Sequence, residues 1–234
     1  MNKNVHREWR DSFEEYRQQE QEKVIEKDIH PTEGPLLMGE VTNVVTEATH
    51  NEAVLVNDVG QNQMISSRYF KFTKKLSIVT SGGFGTMGFG LGAAIGAKQG
   101  NPDKTVIHIT GDGCFRMNGN ELATEAYYGL PVITVIFNNR NLGMVRQWQS
   151  LIYDRRYSQT SLENRSPDFV KFADAFGLKG RRVTTVEELE AAIQEALEEQ
   201  KKGLGYVVDC TIEETELVRP MVNGGTHITE FLVN

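Results

Sequence analysis

The sequence predicts an α/β protein: a mostly parallel sheet with helices on both faces. Three observations carry this. Short apolar runs alternate with longer segments of helical periodicity. The runs at 53–59, 132–137 and 206–212 are nearly continuous in apolar residues, as strands buried on both faces are. Glycine, at 22 residues, gathers where such runs end.

The elements follow in order. Residues 3–28 read as a polar helix, with Trp9, Phe13 and Tyr16 on one face and charge elsewhere. His30, Pro31, Gly34 and Pro35 then break the chain, so this segment reads as a linker. Residues 36–50 have helical spacing, 53–59 and 76–80 read as strands, and 86–98 as a helix of small residues. A strand at 105–110, a helix at 121–128 and a strand at 132–137 come next. Helices at 168–176 and 185–200, the latter strongly charged, precede the last strand at 206–212.

Composition narrows the partners. A chain of 234 residues can bury one large core. With 25 basic against 32 acidic residues it has no electrostatic footprint for nucleic acid. No apolar run is long enough to span a membrane, and the charged N-terminus lacks the apolar centre of a secretory signal. Cys114 and Cys210 stand far apart, which argues against a disulfide framework or a zinc site and suits a reducing cytoplasm.

In open parallel sheets, ligands bind beyond the carboxyl ends of the strands. The unusual residues lie there. Gly83-Phe84-Gly85-Thr86-Met87-Gly88 has the GxGxxG spacing, with Asp112 ending the following strand. That spacing reads equally as tight helix packing or as a diphosphate site at a helix start. Gly111-Asp112-Gly113 is followed by 24 residues and then Asn138-Asn139. Each motif alone is a turn. Together, on strands about 4.8 Å apart, they let Asp112 and Asn139 reach one ion. An anionic oxygen, an amide oxygen and a backbone carbonyl suit Mg²⁺ completed by diphosphate oxygens.

This GDG-x24-NN pattern resembles the signature of thiamine-diphosphate enzymes. The stretches DVGQNQM (58–64), TSGGFGTMGFGLGAAIGAK (80–98), GDGCFRMNGNELATE (111–125), NNRNLGMVRQWQSLIYDRRYS (138–158) and VRPMVNGG (218–225) resemble acetolactate synthase. The resemblance covers residues 36–234 and implies the C-terminal cofactor-binding domain of that family, after a polar helix and linker at 1–35. It implies thiamine diphosphate and Mg²⁺. Asp112, the Asn139 side chain and the Asn141 backbone carbonyl match the metal ligands. Gln61 matches a diphosphate contact. Gly85, Gly113, Cys114, Gly143 and Met144 match positions around the diphosphate and thiazolium. Met117 matches the apolar residue that props the cofactor in its bent form, and Met87 a residue lining the cofactor and substrate cavity. Val145 and Trp148 match positions near the substrate entrance.

The activity implied is decarboxylation of pyruvate and ligation of the two-carbon unit to a second 2-ketoacid. Similar decarboxylases carry a proton-donating glutamate shortly after the Asn-Asn pair. Here that place, Gly143-Met144-Val145, is apolar, which favours ligation. Three alternatives stand beside it. One is a β-type subunit of a split 2-oxoacid decarboxylase such as sulfopyruvate decarboxylase. Another is a Rossmann-type NAD oxidoreductase using Gly83, Gly85 and Gly88. The last is a non-catalytic scaffold.

The sequence also departs from the family. Asn62 replaces a histidine, Ile65 a tryptophan, Gly92 a proline, and Cys114 a smaller residue. Cys114 reads as an inert buried thiol and His108 as a core histidine. Glu121 and Glu125 read as helix-surface carboxylates or caps. Nothing matches the family glutamate that bonds the aminopyrimidine, nor the middle domain that holds FAD in some members. The expected partners are therefore a homodimer or higher oligomer, or a separate chain carrying the pyrimidine-binding domain, gripping an exposed apolar face.

Overall fold

The computed structural model describes residues 6–31, 33–163, 166–222, 225–227 and 231–232. Helix α1 (Arg7–Glu20) passes through one π-helical turn (Gln21–Ile25) into α2 (Glu26–Ile29). Within the expected helix at 3–28, residues 3–5 lie outside the described residues. Trp9, Phe13 and Tyr16 are all exposed, although the Trp9 and Phe13 rings touch. The far end is anchored: Glu20 pairs with Arg68, and Tyr69 donates its hydroxyl to Asp28.

Next come α3 (Met38–Ala48), β1 (Val54–Asn57), α4 (Gln61–Tyr69), β2 (Ile78–Thr80), α5 (Phe89–Gly100) and β3 (Val106–Gly111). They are followed by α6 (Asp112–Asn118), α7 (Leu122–Tyr128), β4 (Ile133–Asn138), α8 (Gly143–Leu151) and α9 (Phe169–Asp174). Last are β5 (Lys179–Val183), α10 (Val186–Lys201), β6 (Tyr206–Thr211) and a two-stranded antiparallel pair, β7 (Met221–Val222) with β8 (Phe231–Leu232).

Six strands form one sheet in the order β2-β1-β3-β4-β6-β5, every pairing parallel. Side chains along each strand alternate between two cores. Leu55, Ile107, Ile109, Val135, Phe137 and Val208 face α3, α4 and α10, where Val41, Val45, Ile65, Leu189 and Ile193 meet them. Val54, Val56, Val106, Ile136 and Val207 face the other way, towards Leu91, Phe115, Leu122 and Phe169. Both faces of the central strands are covered, so most of their positions are apolar.

The differences from the sequence reading have local causes. The small-residue helix begins at Phe89, not at 86, because Gly85 and Gly88 are held at φ +61° and +83°. The helix expected at 168–176 begins at Phe169. Asp168 is its cap, its carboxylate accepting from the Val170 and Lys171 amides. Helices α4, α6 and α8 are short and start at glycine-rich turns, which hid them. Strand β5 (KGRRV) is an edge strand with mostly exposed residues, so it lacks the apolar signal of its neighbours.

Candidate functional site

The carboxyl ends of β1, β3 and β4 open on a cavity of about 270 Å³. Gln61, Gly85, Met87, Asp112, Gly113, Cys114, Asn139, Asn141, Gly143, Met144 and Val145 line it, with Met38, Asn62 and Leu142 among their neighbours. Three strand-to-helix transitions build it. Strand β1 leads through Asp58, Val59 and Gly60 into α4 at Gln61. Strand β3 runs directly into α6 at Asp112. Strand β4 leads into α8 at Gly143 through a loop in which Arg140 adopts φ +58°. That loop is pinned from outside by backbone bonds Leu142 N to Thr160 O (2.8 Å) and Leu162 N to Arg140 O (2.7 Å).

The donor set is oxygen-rich and incomplete. Asp112 is 1% exposed. Its Oδ1 accepts from the Gly113 amide at 2.9 Å, while its Oδ2 is buried without a hydrogen-bond partner. Burial drives its pKa up to about 7, against the pull of the Gly113 amide. Asn141 Oδ1 is likewise buried and unpartnered. Asn139 Oδ1 accepts from the Asn141 amide at 3.1 Å, and its Nδ2 reaches Gln61 Oε1 at 3.4 Å. Buried polar atoms are normally paired, and here two unpaired oxygens belong to residues that line one cavity. Their hardness suits an oxygen-seeking cation. For Asn141 it is the side-chain oxygen that stands unpaired in the structure, whereas the sequence reading rested on its backbone carbonyl. Among the described residues, no group of three or more His, Cys, Asp or Glu gathers as a metal cluster.

Close packing demands glycine at one point in this wall. A Cβ at Gly143 would lie 2.1 Å from Gln61 Oε1 and 2.8 Å from Asn139 Nδ2. Gly143, Met144 and Val145 form the first turn of α8, whose opening amides have no intrahelical acceptor. Such an opening turn can receive anionic oxygens, and it lies beside Gln61 and Asn139.

The GxGxxG turn is resolved differently. Asp58, 1% exposed, sits beneath it. Its Oδ1 accepts from the Gly88 amide at 2.9 Å and its Oδ2 from the Gly90 amide at 3.2 Å. Thr110 Oγ1 donates at 3.3 Å and His108 Nε2 lies 3.6 Å away. Burial opposes its ionisation, but His108 and the two amides outweigh that and hold the carboxylate below its usual range. The start of α5 thus already carries its own carboxylate. A dinucleotide diphosphate would meet occupied amides and a like charge there, which closes the Rossmann-type reading of Gly83, Gly85 and Gly88.

Residues 58–210 match the protein family described as thiamine pyrophosphate enzyme, C-terminal TPP binding domain. The chain belongs to this family. As a thiamine pyrophosphate enzyme C-terminal domain it is 40% identical over 222 residues to the acetolactate synthase large subunit of Haemophilus influenzae. That match covers 95% of this chain and 38% of the relative. It is 44% identical over 186 residues to the acetolactate synthase isozyme 3 large subunit of Escherichia coli, covering 79% of this chain and 32% of the relative. The chain therefore spans about a third of these curated relatives' length. Among solved structures it resembles a thiamine diphosphate-dependent 4-hydroxybenzoylformate decarboxylase of Rhodococcus jostii RHA1, with a TM-score of 0.68 at 24% identity. That match covers 78% of this chain and 33% of the other, and it speaks for the fold.

Two of the expected positions of this TPP-binding domain are not on the cavity wall. Met117 is 56% exposed and, among the described residues, is not part of the cavity wall. Its Cβ lies against Gly88, 2.9 Å from where a side chain there would begin. Met87 is the methionine that reaches the cavity. Trp148 is likewise off the wall and partly exposed on α8, neither core nor lining. Cys114 behaves as expected: it is buried, its thiol bonds the Val59 carbonyl, and burial pushes its pKa up to about 12. His108 is fully buried in β3. Glu125 is a correction. It is not on the surface but 2% exposed, at the opposite end of β4, accepting from the Val132 amide at 3.1 Å. Burial raises its pKa to about 8. Glu121 sits at the N-cap of α7 and accepts from Thr124. Asn223 and Gly224 of the terminal VRPMVNGG stretch lie outside the described residues.

Sequence reasoning gave no role to Asp58 or Gln147. Asp58 follows an apolar strand run and comes two residues before a glycine, much as Asp112 directly precedes one, and that likeness was the available signal. Gln147 is a polar residue on the buried stripe of α8, between Met144 and Leu151.

Proposed function

We propose that this chain is the thiamine-diphosphate- and Mg²⁺-holding part of an acetolactate synthase-type enzyme, acting on pyruvate and a second 2-ketoacid. The observation that carries it is the convergence of Asp112, Asn139 and Asn141 on one cavity, two of them with unpaired buried oxygens. Asp112, the Asn139 side chain and Asn141 would hold Mg²⁺. Gln61, the opening amides of α8, Gly85 and Gly113 would hold the diphosphate. Met87 would support the organic part of the cofactor. When bound, thiamine diphosphate supplies the electron sink through which a 2-ketoacid loses CO₂.

The rest of the wall favours ligation. Met144 and Val145 put apolar atoms where a proton donor would otherwise stand. Among the described residues, Asp112 is the one carboxylate lining the cavity, so a glutamate for the aminopyrimidine has to come from another domain or chain. Phe84 is fully exposed beside Gly85, and Met117 is exposed beside Gly88. An apolar rim of this kind suits coverage by that second polypeptide, in a dimer, a larger oligomer or a split enzyme. In this reading residues 1–35 connect and 36–234 form the cofactor domain. Two buried, unpaired thiols fit a reducing cytoplasm. Among the described residues, no helix is long and apolar enough to cross a membrane.

The test is calorimetric binding of thiamine diphosphate with and without Mg²⁺, together with acetolactate formation from pyruvate. Both are run on the chain alone and with a homologous polypeptide spanning the part of the relatives it lacks. Mg²⁺-dependent binding abolished by Asp112→Ala, with turnover on complementation, is expected. Failure to bind the cofactor in either setting sinks the reading.

A further inference from the structure

One side chain ties the cavity to the segment after β6. Gln147 is 1% exposed and uses both ends of its amide. Its Oε1 accepts from the Val218 amide at 2.9 Å and from Gln61 Nε2 at 2.8 Å. Its Nε2 donates to the Val218 carbonyl at 3.1 Å and meets Met221 Sδ at 3.1 Å. The polarity of this arrangement has an anchor. A backbone N–H can only donate, so the Val218 amide forces the oxygen of Gln147 to face it. Gln61 must then present its NH₂ group to Gln147, and a second acceptor, the Glu216 carbonyl at 2.9 Å, demands the same. That leaves Gln61 Oε1 facing Asn139 Nδ2 at 3.4 Å. Asn139 is thereby turned with its oxygen on the other side, where the Asn141 amide meets it. The same segment reaches the cavity wall again, the Met38 amide donating to Glu216 Oε2 at 2.9 Å.

We infer that Gln147 is a positioning residue: together with the strap at 216–222 it sets the amide orientation of Gln61 and, through it, presents the oxygen of Asn139 to the cation. The inference rests on the reading of the cavity as a thiamine diphosphate and Mg²⁺ site. Gln147 itself lies behind the wall and touches neither group. Residues that orient metal ligands typically change affinity by about 10- to 100-fold when lost.

The test compares the wild-type chain with Gln147→Met, of similar length but without hydrogen bonds, and Gln147→Glu, which keeps the acceptor for Val218 and Gln61. Three quantities are measured: Mg²⁺ affinity by calorimetry at saturating thiamine diphosphate, hydrogen exchange of the Val218 amide, and melting temperature. Gln147→Met is expected to weaken Mg²⁺ by roughly tenfold and to release the Val218 amide. Gln147→Glu is expected to restore the protection of that amide and most of the affinity. A merely structural glutamine would lower the melting temperature in both variants and leave Mg²⁺ affinity unchanged in whatever folds, and that result overturns the inference. So does a Gln147→Glu chain that binds Mg²⁺ no better than Gln147→Met. If Gln147→Met does not fold, Gln147→Glu decides: near-wild-type affinity with a protected Val218 amide supports the inference, and loss of affinity despite that protection overturns it. A wild-type chain that takes up no Mg²⁺ with the cofactor present brings down the functional reading itself, and the inference with it.

Discussion

Asp58 and Asp112 end up one strand apart at the same edge of the sheet, β1 and β3 being paired neighbours, and both are 1% exposed. Their environments push them in opposite directions. Asp58 has partners on both oxygens: two backbone amides, a threonine hydroxyl and a histidine. It is held below the usual carboxylate range. Asp112 has one oxygen satisfied and one bare, and burial lifts it to about 7. Burial alone therefore does not tell a structural carboxylate from a ligand. What separates them is whether the protein itself completes the hydrogen bonding. Asp58 is finished by the fold. Asp112 keeps a bare oxygen on the cavity wall, which suits the proposed cation.

The largest expected effect lies on the unfinished side. Asp112→Ala removes the proposed Mg²⁺ ligand, so Mg²⁺-dependent cofactor binding should fall by more than about 100-fold, the upper range seen when mere supporting groups are lost. Stability of the cofactor-free chain should move the other way. A carboxyl whose folded pKa is raised contributes stability below its unfolded value. That contribution is lost as pH rises through the folded value, here between about 4 and 7. Asp112→Asn should therefore be the more stable chain at pH 8, and its melting temperature should fall less than the wild type's between pH 5 and pH 8. A wild-type chain whose stability rises over that window would contradict the raised pKa.

The finished side predicts the opposite. Asp58→Asn should destabilise by about 3 kcal/mol, because it strips a buried carboxylate from His108 and two amides. Its folded pKa is depressed, so the wild type's advantage should hold at neutral pH and vanish on acidification below the ordinary carboxylate range. Urea denaturation at pH 7 and pH 3 measures both. A smaller loss, about 1–3 kcal/mol, is expected for Gly90→Ala. The added Cβ would fall 2.3 Å from His108 Nε2 and 2.8 Å from Asp58 Oδ2, so the cost is steric and comes with no change in charge. If Gly90→Ala is neutral by the same denaturation, the pair beneath the turn is looser than the geometry states.

Glu125 sharpens the contrast with the smallest effect. It too has one paired and one bare oxygen, but it lies at the amino end of β4, far from the cavity. Its pKa of about 8 means that it is protonated at neutral pH, and its stabilisation drains away as pH rises from the ordinary carboxylate range to about 8. Glu125→Gln keeps the acceptor for Val132. It should change stability by less than about 1 kcal/mol at pH 6 and flatten the loss between pH 5 and 8 in thermal melts. A large loss at pH 6 would show that the proton on Glu125 makes a bond that the amide cannot replace.

The parallel sheet was legible because its strands are buried on both faces and so carry unbroken apolar runs. The proposed metal donors Asp112 and Asn139 stood out because they follow strands, and strand ends are short, linear features of the chain; Asn141 was offered only by the family resemblance. Strand β5 was hidden because an edge strand needs no apolar pattern. The roles of Met117 and Met87 were not separable by sequence spacing, since both flank glycine-rich turns. In the structure Met87 lines the cavity and Met117 does not.

What the sequence by itself determined is the order of strands and helices and the residues offered at the strand ends. Those depend on period and on local turn chemistry, which reach over a few residues. What the tertiary structure decided is which polar groups are satisfied. Asp58 spends itself on amides 30 and 32 positions away. Glu125 is sealed in at the far end of β4. Gln147 closes on Val218, 71 positions along the chain. Satisfaction is a property of contacts between distant segments, and no local pattern encodes it. That is why two aspartates in similar sequence settings finish as different chemical groups.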